Sequence, residues 1–379
     1  SGGGKGAELA LPEKARVASS LSGGGTVEAG LEGAVSVHAD ELSENLIKAY
    51  NAAFDTNYTV RDIASEGALK ALKASNADHW HASPVCQNLS AAKAGRNLNP
   101  NDIAIAKAVV RNIREVKPPT ITIENVPGYR ETDLYKSITN ALDEAGYKWD
   151  ADIYDAADYG AAQSRKRLIV RAVLDGDLPP LPQKTKPIDW YELLRTSIDR
   201  ERSIPISEAF IPTSPERKIK GWTAHWEIER INKMIREGTL DANKPIITTG
   251  QSAGPGPANA RNSGGPGPTL TVSGKMRVIL PSDTNATSLK GAQVVELTPA
   301  MMRRYMGLSD DYLLPDSYTL AKTILGNGVH GNVTKNFIQP LVDQTVAGRQ
   351  AVTDVPDLIA PSQAPSPGTG GIPGIEGGR

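Results

Sequence analysis

The chain has 379 residues, with 42 basic and 43 acidic side chains and a formal net charge of -1. This length allows about two domains of about 100 to 200 residues each, and the balanced charge excludes a global positive field, so a nucleic-acid site must be a local patch. The single cysteine excludes an intramolecular disulfide framework and a multi-cysteine zinc site, and we expect no metal site.

We find no targeting signal in the sequence. No apolar run approaches the roughly 18 residues needed to cross a bilayer, and the start, Ser1-Gly2-Gly3-Gly4-Lys5, lacks the apolar core of a signal peptide. We therefore expect a soluble cytoplasmic monomer with no membrane partner. Residues 1–14 are predicted to form a disordered leader and residues 346–379, which have few apolar side chains, a disordered tail.

Residues 15–173 alternate short apolar or β-branched runs with helical periodicity, which predicts an α/β domain with helices covering a βαβ sheet. One predicted helical face contains Ile103, Ala106, Val109, Val110, Ile113 and Val116. The prolines at 118 and 119 end that helix, and residues 120–123 are the next predicted strand. A second helix covers residues 134–145 and stops at Gly146 in the C′ position.

Residues 174–295 differ in composition from the preceding domain. They contain frequent prolines and one clear amphipathic helix, predicted at 226–237, that ends at Gly238. Between Asp241 and Asp283 the sequence has no acidic residue. The basic residues in that tract are Lys244, Arg261, Lys275 and Arg277, and two Gly-Pro-Gly-Pro segments begin at Gly254 and Gly265. Such a tract can follow a phosphate backbone, but composition alone also allows a solvated loop without a ligand.

The lone cysteine, Cys86, lies in Ser-Pro-Val-Cys-Gln, and a lone cysteine is more often an inert buried residue than a nucleophile. Downstream, Glu124 ends a predicted strand, while Arg165 and Arg167 begin another. Taken singly, these would be a surface carboxylate and an exposed pair of strand residues. Three such signals at strand ends of one α/β sheet, where open sheets bind ligands, predict a functional site.

Six short motifs follow one another in an order that strongly resembles the cytosine-C5 DNA methyltransferases, over Val17 to Val342. They are Ser22-Gly23-Gly24-Gly25, Pro84-Val85-Cys86-Gln87, Glu124-Asn125-Val126, Gln163-x-Arg165-x-Arg167, Leu297-Thr298-Pro299 and Gly326-Asn327-Gly328-Val329. The resemblance implies a Rossmann-like methyltransferase sheet at 15–173 and a smaller, irregular target-recognition domain at 174–295. Residues 296–345 would then return to the catalytic domain.

The resemblance also implies a chemistry. Cys86 would add to carbon 6 of a cytosine flipped out of double-stranded DNA, because carbon 5 alone is too weak a nucleophile to accept a methyl group. Glu124 would act as the general acid at ring nitrogen 3, and Arg165 and Arg167 would hold the base and orient Glu124. The methyl donor would be S-adenosylmethionine. The setting would be restriction-modification or phage DNA modification, in a bacterial cell or a phage-infected bacterium.

Two further sets of residues are carried over from the resemblance. The cofactor set is Leu21, Ser22, Gly23, Gly25, Glu41, Leu42, Asp62, Ile63, Pro84, Asn327 and Val329. In this set Glu41 matches a ribose-binding glutamate, and Asp62 matches an aspartate that meets the adenine amino group. The DNA-binding set is Gln87, Ser90, Arg96, Gln163, Arg261, Thr269, Leu270, Lys275 and Arg277, with Arg261 as a base reader and the last two as phosphate contacts.

The departures from the family pattern cluster on the cofactor side. The usual aspartate and phenylalanine before the Gly-rich turn are Ser19 and Leu21 here, and the last glycine of that turn is Thr26. The aromatic residue that often follows the glutamate is Leu42, and Val85 replaces the proline before the cysteine.

Three hypotheses remain open from the sequence. The first is a divergent enzyme that uses S-adenosylmethionine. The second is an enzyme with another one-carbon donor, either a modified S-adenosylmethionine or methylenetetrahydrofolate, which would give 5-hydroxymethylcytosine. The third is a non-catalytic DNA-binding protein. Glu41 and Asp62 favour a nucleoside-bearing donor, and the presence of Cys86 together with Glu124 argues against a non-catalytic protein.

Overall fold

A computed structural model of the chain describes residues 13–86, 89, 98–210, 225–250, 256–283 and 285–353. Three of the predicted DNA-binding residues, Gln87, Ser90 and Arg96, lie outside the described residues. So do residues 1–12 of the predicted leader and residues 354–379 of the predicted tail. Within the described ranges, no helix combines the length and the apolar character needed to span a membrane.

The larger domain is built on a six-stranded sheet in the order β2-β1-β3-β4-β6-β5. Its strands are β1 (Ala15–Ser20), β2 (Ala34–Asp40), β3 (His79–Ala82), β4 (Thr120–Asn125), β5 (Lys148–Asp155) and β6 (Lys166–Val173). Neighbouring strands are parallel from β2 to β4, whereas β6 is antiparallel to both β4 and β5. Every residue of β4 is buried, as expected for a central strand covered on both faces. The predicted Rossmann-like fold class is confirmed.

Helices cover both faces of this sheet. The first five are α1 (Thr26–Gly30), α2 (Glu44–Phe54), α3 (Glu66–Ser75), α4 (Pro100–Val116) and α5 (Asp133–Glu144). The apolar face predicted for residues 103–116 lies on α4, which packs with α3 and α5 against one face of the sheet. The two predicted helices are confirmed: Lys117, in the left-handed region with φ 50°, ends α4, and Gly146, with φ 86°, follows α5.

The smaller domain is more regular than the sequence suggested. It contains α6 (Trp190–Arg200), β7 (Ile204–Pro205), α7 (Ile206–Ala209), α8 (His225–Arg236), β8 (Ile246–Thr248), β9 (Ala260–Asn262), β10 (Arg277–Leu280) and β11 (Gln293–Glu296). Its five strands form an antiparallel sheet in the order β7-β11-β10-β8-β9. These strands have only two to four residues each, which is too short for an alternating pattern to stand out in the sequence.

The last segment of the described chain packs on both sheets. Its elements are α9 (Pro299–Tyr305), α10 (Tyr318–Gly326), α11 (Gly331–Val333), a π-helical turn (Thr334–Ile338) and α12 (Gln339–Thr353). Helix α9, the start of this returning segment, packs with α6 and the small sheet. The π-turn and α12 pack against β1 and β6 on the second face of the sheet. Because α12 continues to Thr353, the prediction that disorder begins at residue 346 is wrong for residues 346–353. Val346 packs against that core, and Arg349 pairs with Asp78 and Glu13.

Candidate active site

The sheet topology brings the predicted catalytic residues to one edge. Cys86 follows β3, Glu124 lies near the end of β4, and the carboxyl ends of these parallel strands meet at the same edge. Strand β6 is antiparallel to β4, so the first residues of β6 lie at the same edge. Arg167 is one of these residues. A cavity of about 350 Å³ lies there. Of the predicted site residues, its wall includes Leu21, Ser22, Gly23, Glu41, Pro84, Cys86, Glu124, Arg165, Arg167, Asn327 and Val329.

The segment that carries Cys86 is fixed to the neighbouring strand. The Asn125 side-chain amide donates a hydrogen bond of 2.5 Å to the Pro84 carbonyl, and both residues are buried. Cys86 itself is partly exposed and faces the cavity. The thiol is therefore held on a backbone anchored to β4 while it stays accessible to a molecule in the cavity.

Glu124 is a buried acid with a cationic neighbour. It is 6% exposed, and one carboxylate oxygen lies 3.3 Å from Nε of Arg167. Burial is the largest influence and raises the pKa of Glu124. Arg167, Arg165 and the Ser83 hydroxyl oppose that rise by favouring the charged form. A carboxyl group with a raised pKa is suited to donate a proton near neutral pH.

Behind Glu124, a row of hydrogen bonds runs into the sheet. The Ser83 hydroxyl lies 2.9 Å from Nε2 of His81, and Nδ1 of His81 lies 2.8 Å from the Thr122 hydroxyl. The Thr122 hydroxyl also lies 2.9 Å from Nε2 of His79. Burial lowers the pKa of each histidine to about 3, so both rings are neutral at physiological pH. These hydrogen bonds restrict the rotation of the Ser83 hydroxyl, the group that lowers the pKa of Glu124.

Arg165 has a different set of partners from the one expected. Its guanidinium donates to the carbonyls of Leu270 (2.7 Å), Gly326 (2.9 Å) and Gly328 (3.0 Å), and it forms no ion pair with Glu124 within 4 Å among the described residues. Its influence on the pKa of Glu124 is therefore exerted at longer range. Arg165 is 1% exposed and lines the cavity, and its Nε has no hydrogen-bond partner in the described part of the chain.

The Gly-rich turn and Glu41 form another part of the cavity wall. One carboxylate oxygen of Glu41 accepts from the Gly23 amide at 3.0 Å, and the other accepts from the amides of Leu42 and Ser43, each at 3.1 Å. Gly23 has φ 54°, and a Cβ added there would meet no atom within 4 Å. The bare backbone at Gly23 therefore leaves open space beside an ordered carboxylate, which suits the close approach of a ligand.

Four predicted cofactor residues are not part of the cavity wall. Gly25 packs against Tyr50 and Phe54, Ile63 is 2% exposed within the main core, and Leu42 is 59% exposed. Asp62 is exposed, and its carboxylate accepts from the Ala64 amide at 2.9 Å within its own turn.

The sequence did not assign the other residues of the wall to the site, although several of them belong to the quoted motifs. The unassigned residues are Ser19, Gly24, Thr26, Val27, Glu28, Leu46, His81, Ser83, Val85, Asn125, Val126, Thr323, Ile324, Gly326 and Gly328. Many are immediate neighbours of predicted residues and could have been included on that ground. Glu28 and Leu46 lie on helices outside the motifs, and the sequence carries no signal for them.

Three of the predicted DNA-binding residues are corrected by the structure. Gln163 is fully buried, and its amide donates to the Tyr305 carbonyl at 3.0 Å while its oxygen accepts from the Leu270 amide at 3.0 Å. Leu270 is fully buried in an apolar core. Arg277 has a side chain that is 12% exposed, stacks on Phe210 at 4.6 Å and pairs with Glu296. These side chains hold the protein together and are not available to DNA as they lie.

The remaining described members of the DNA set are accessible. Arg261 is exposed on β9, and the Lys275 side chain is 47% exposed, 3.9 Å from a carboxylate oxygen of Glu296. Thr269 is half-buried, and its hydroxyl donates to the Ser164 carbonyl at 2.7 Å.

In the described ranges, no group of three or more His, Cys, Asp or Glu side chains is arranged to hold a metal ion.

Comparisons with known proteins agree with this geometry. The family model described as C-5 cytosine-specific DNA methylase matches residues 15–342. The Type II methyltransferase M1.HgaI of Avibacterium volantium is 40% identical over 119 residues, which are 28% of this chain and 33% of that protein. M.SsoII of Shigella sonnei is 24% identical over 258 residues, covering 64% of this chain and 58% of that protein. The chain thus aligns with only part of each relative.

Two solved structures show the same fold. The Entamoeba histolytica methyltransferase EhMeth superimposes with a TM-score of 0.60 at 20% identity, and the match covers 88% of this chain and 99% of that one. Dnmt2 methyltransferase of S. pombe gives a TM-score of 0.61 at 16% identity, again covering 88% of this chain and 99% of the other. At these identities the likeness concerns the fold alone.

Proposed function

Because the chain belongs to the C-5 cytosine-specific DNA methylase family, we propose that it methylates carbon 5 of cytosine in double-stranded DNA. The observation that carries this proposal is the meeting of Cys86, Glu124 and Arg167 in one cavity, with Glu124 buried and paired to Arg167 at 3.3 Å. The named relatives are Type II methyltransferases, and we infer the same setting, DNA modification in a bacterial or phage context, for this chain.

The residues of the cavity supply the groups that the reaction needs. The Cys86 thiolate adds to carbon 6 of cytosine, and Glu124 gives a proton to ring nitrogen 3, which makes carbon 5 electron-rich. Arg167 holds the Glu124 carboxyl in place. The terminal nitrogens of Arg165 donate to backbone carbonyls, so its Nε–H is the group of that side chain suited to donate to the 2-oxo group. After carbon 5 has received its methyl group, a base removes the carbon-5 proton, the bond from sulfur to carbon 6 breaks to release the thiolate, and the proton on ring nitrogen 3 returns to Glu124, which restores the neutral ring.

The substrate base must leave the DNA stack to reach these groups. Cys86 and Glu124 lie in a cavity, and a base paired within a duplex cannot enter one. Flipping one nucleotide costs a few kcal/mol, which contacts between the protein and the DNA must offset. Among the described residues of the predicted set, Arg261 and Lys275 are the accessible cationic side chains that could contribute such contacts.

The cavity fits S-adenosylmethionine as the donor. Glu41 presents a carboxylate that is already ordered by three backbone amides, a group suited to accept hydrogen bonds from ribose hydroxyls, and the open space at Gly23 admits a ligand next to it. Leu21, Asn327 and Val329 line the same space. When bound, S-adenosylmethionine supplies the methyl group that carbon 5 receives.

A covalent trap tests the proposal. With 5-fluorocytosine at the target position, no proton can leave carbon 5, so wild-type protein with S-adenosylmethionine should form a protein–DNA adduct that survives denaturant. Cys86→Ser should form no adduct, because a hydroxyl provides far less of the reactive anion at neutral pH than a thiol does, and it should still bind DNA.

Mass spectrometry of nucleosides from treated unmodified DNA identifies the product. Formation of 5-methylcytosine with S-adenosylmethionine supports the proposal, and formation of 5-hydroxymethylcytosine with a folate donor contradicts the proposed donor. Adduct formation by Cys86→Ser at the wild-type level would refute the role of Cys86.

A further inference from the structure

A third acid in the cavity wall, besides Glu124 and Glu41, has no part in the chemistry described above. Glu28, on the short helix α1, contributes to the cavity wall. One of its carboxylate oxygens accepts a hydrogen bond from the Ser19 hydroxyl at 3.3 Å, and the Ser19 and Ser22 hydroxyls are 2.6 Å apart. The Tyr50 hydroxyl is a further hydrogen-bonding partner of Glu28. These groups form a polar cluster in the part of the cavity wall that contains the Gly-rich turn, where we propose that the methyl donor binds.

The surroundings of Glu28 contain hydroxyl groups and no paired cation. Burial raises the pKa of Glu28 to about 7, and the neighbouring hydroxyls of Tyr50 and Ser19 only partly oppose this. Within the described residues, no Lys, Arg or His forms an ion pair with Glu28. Burial raises the pKa values of the Tyr58 and Tyr312 phenols, and the nearby Glu28 raises them further, so both phenols remain neutral.

Glu28 is partly buried, and a carboxylate in this position without a cation is unfavourable, because the charged form loses part of its hydration and gains no charged partner. Such a group in the wall of a binding cavity is well placed to receive a cation from the ligand. S-adenosylmethionine carries two cationic groups, a sulfonium and an α-ammonium. Of these, only the ammonium has hydrogens to donate to a carboxylate.

We propose that Glu28 binds the α-ammonium group of the methyl donor, with Ser19 and Ser22 completing the polar surface around it. This assignment rests on the proposed function, since it requires a donor with an amino-acid portion. The aspartate that the family carries at the end of β1 is Ser19 in this chain. Its neighbour Glu28 brings a carboxylate to the same part of the cavity from helix α1.

Two ligands that share the adenosine portion test the assignment. S-adenosylhomocysteine has the α-ammonium, whereas 5′-methylthioadenosine lacks the whole amino-acid portion. Calorimetric titration should show that Glu28→Gln weakens binding of S-adenosylhomocysteine about 10- to 100-fold, the range for losing a charge-assisted hydrogen bond. Binding of 5′-methylthioadenosine should stay within about twofold of wild type. Glu32→Gln is the matched control, because Glu32 is exposed just after α1, and both affinities should be unchanged.

The pH dependence gives a second measurement. Between pH 6 and 8 the Glu28 carboxyl loses its proton, since its pKa is about 7, while the ligand's ammonium stays charged. Wild-type affinity for S-adenosylhomocysteine should therefore rise across this range, and that of Glu28→Gln should stay flat. The unliganded Glu28→Gln protein should unfold at a temperature no lower than wild type, because glutamine removes a charge that burial disfavours.

The outcomes separate this assignment from the donor proposal. Equal affinity of wild type and Glu28→Gln for S-adenosylhomocysteine would overturn the role of Glu28 and leave the donor proposal standing. An equal loss of both ligands in Glu28→Gln would also overturn it, because the effect would not follow the ammonium. If wild-type protein binds neither ligand, the donor proposal fails and this assignment fails with it.

Discussion

The three carbonyl groups bound by Arg165 allow a quantitative test of its structural role. Leu270 belongs to the smaller domain, while Gly326 and Gly328 belong to the returning segment, so one guanidinium joins both to the start of β6. A lysine at this position can reach one of these carbonyls at most. The Arg165→Lys variant therefore loses at least two hydrogen bonds from a charged donor, each of about 1.5 kcal/mol or more, and leaves two buried carbonyls unpaired. We expect the free energy of unfolding to fall by about 3 kcal/mol or more.

Urea denaturation followed by tryptophan fluorescence measures this loss, with Arg167→Lys as the matched control. Arg167 lies two residues further along β6 and donates to Glu124 and to the Lys166 carbonyl. A lysine there keeps a cation opposite Glu124, so the control should lose only about 1 kcal/mol. The reasoning is refuted if Arg165→Lys is as stable as Arg167→Lys, because the carbonyl contacts would then contribute little to folding.

Four other predictions concern the site and the fold. Glu124→Gln should slow single turnover about 100-fold, the usual scale for losing a general acid; an unchanged rate in rapid-quench experiments would remove Glu124 from the mechanism. Ser83→Ala should raise the pKa of Glu124, because the hydroxyl favours the charged form; the pH profile of single turnover should then extend to higher pH. Leu21→Phe should tighten S-adenosylhomocysteine binding about 2- to 10-fold through stacking, and weaker binding in calorimetry would contradict this. His79 and His81, each with a pKa lowered to about 3 by burial, should make the fold lose stability as pH falls below 6.5, where the unfolded chain takes up protons; a melting temperature that stays constant from pH 7 to pH 5 would argue against it.

Much of the larger domain could be predicted from the sequence because its elements are long and periodic. Helix α4 has an apolar face that repeats over 17 residues, and β4 is a run of Thr and Ile between two clear breaks. The meeting of Cys86 and Glu124 followed from the same reasoning, since parallel neighbouring strands end at one edge.

Other features depend on contacts that sequence patterns do not show. Gln163 begins a motif that suggested DNA contact. In the structure its side-chain nitrogen donates to the Tyr305 carbonyl and its side-chain oxygen accepts from the Leu270 amide, and both partners are distant in the sequence. Arg277 looked like a free cation in a basic tract, but Glu296 and Phe210 reach it through the fold of the small sheet. Such partners lie far away in the sequence, so local pattern and composition carry no record of them.

The extension of α12 to Thr353 brings the two ends of the described chain together. Arg349 on this helix lies 3.3 Å from Glu13, which directly precedes β1, and it also donates to the Lys14 carbonyl. A short linker could therefore join the two ends, and new termini could be opened in an exposed loop elsewhere. The cavity therefore depends on how the motifs meet in the fold and not on their order along the chain. A circularly permuted gene should encode a protein with the same cavity.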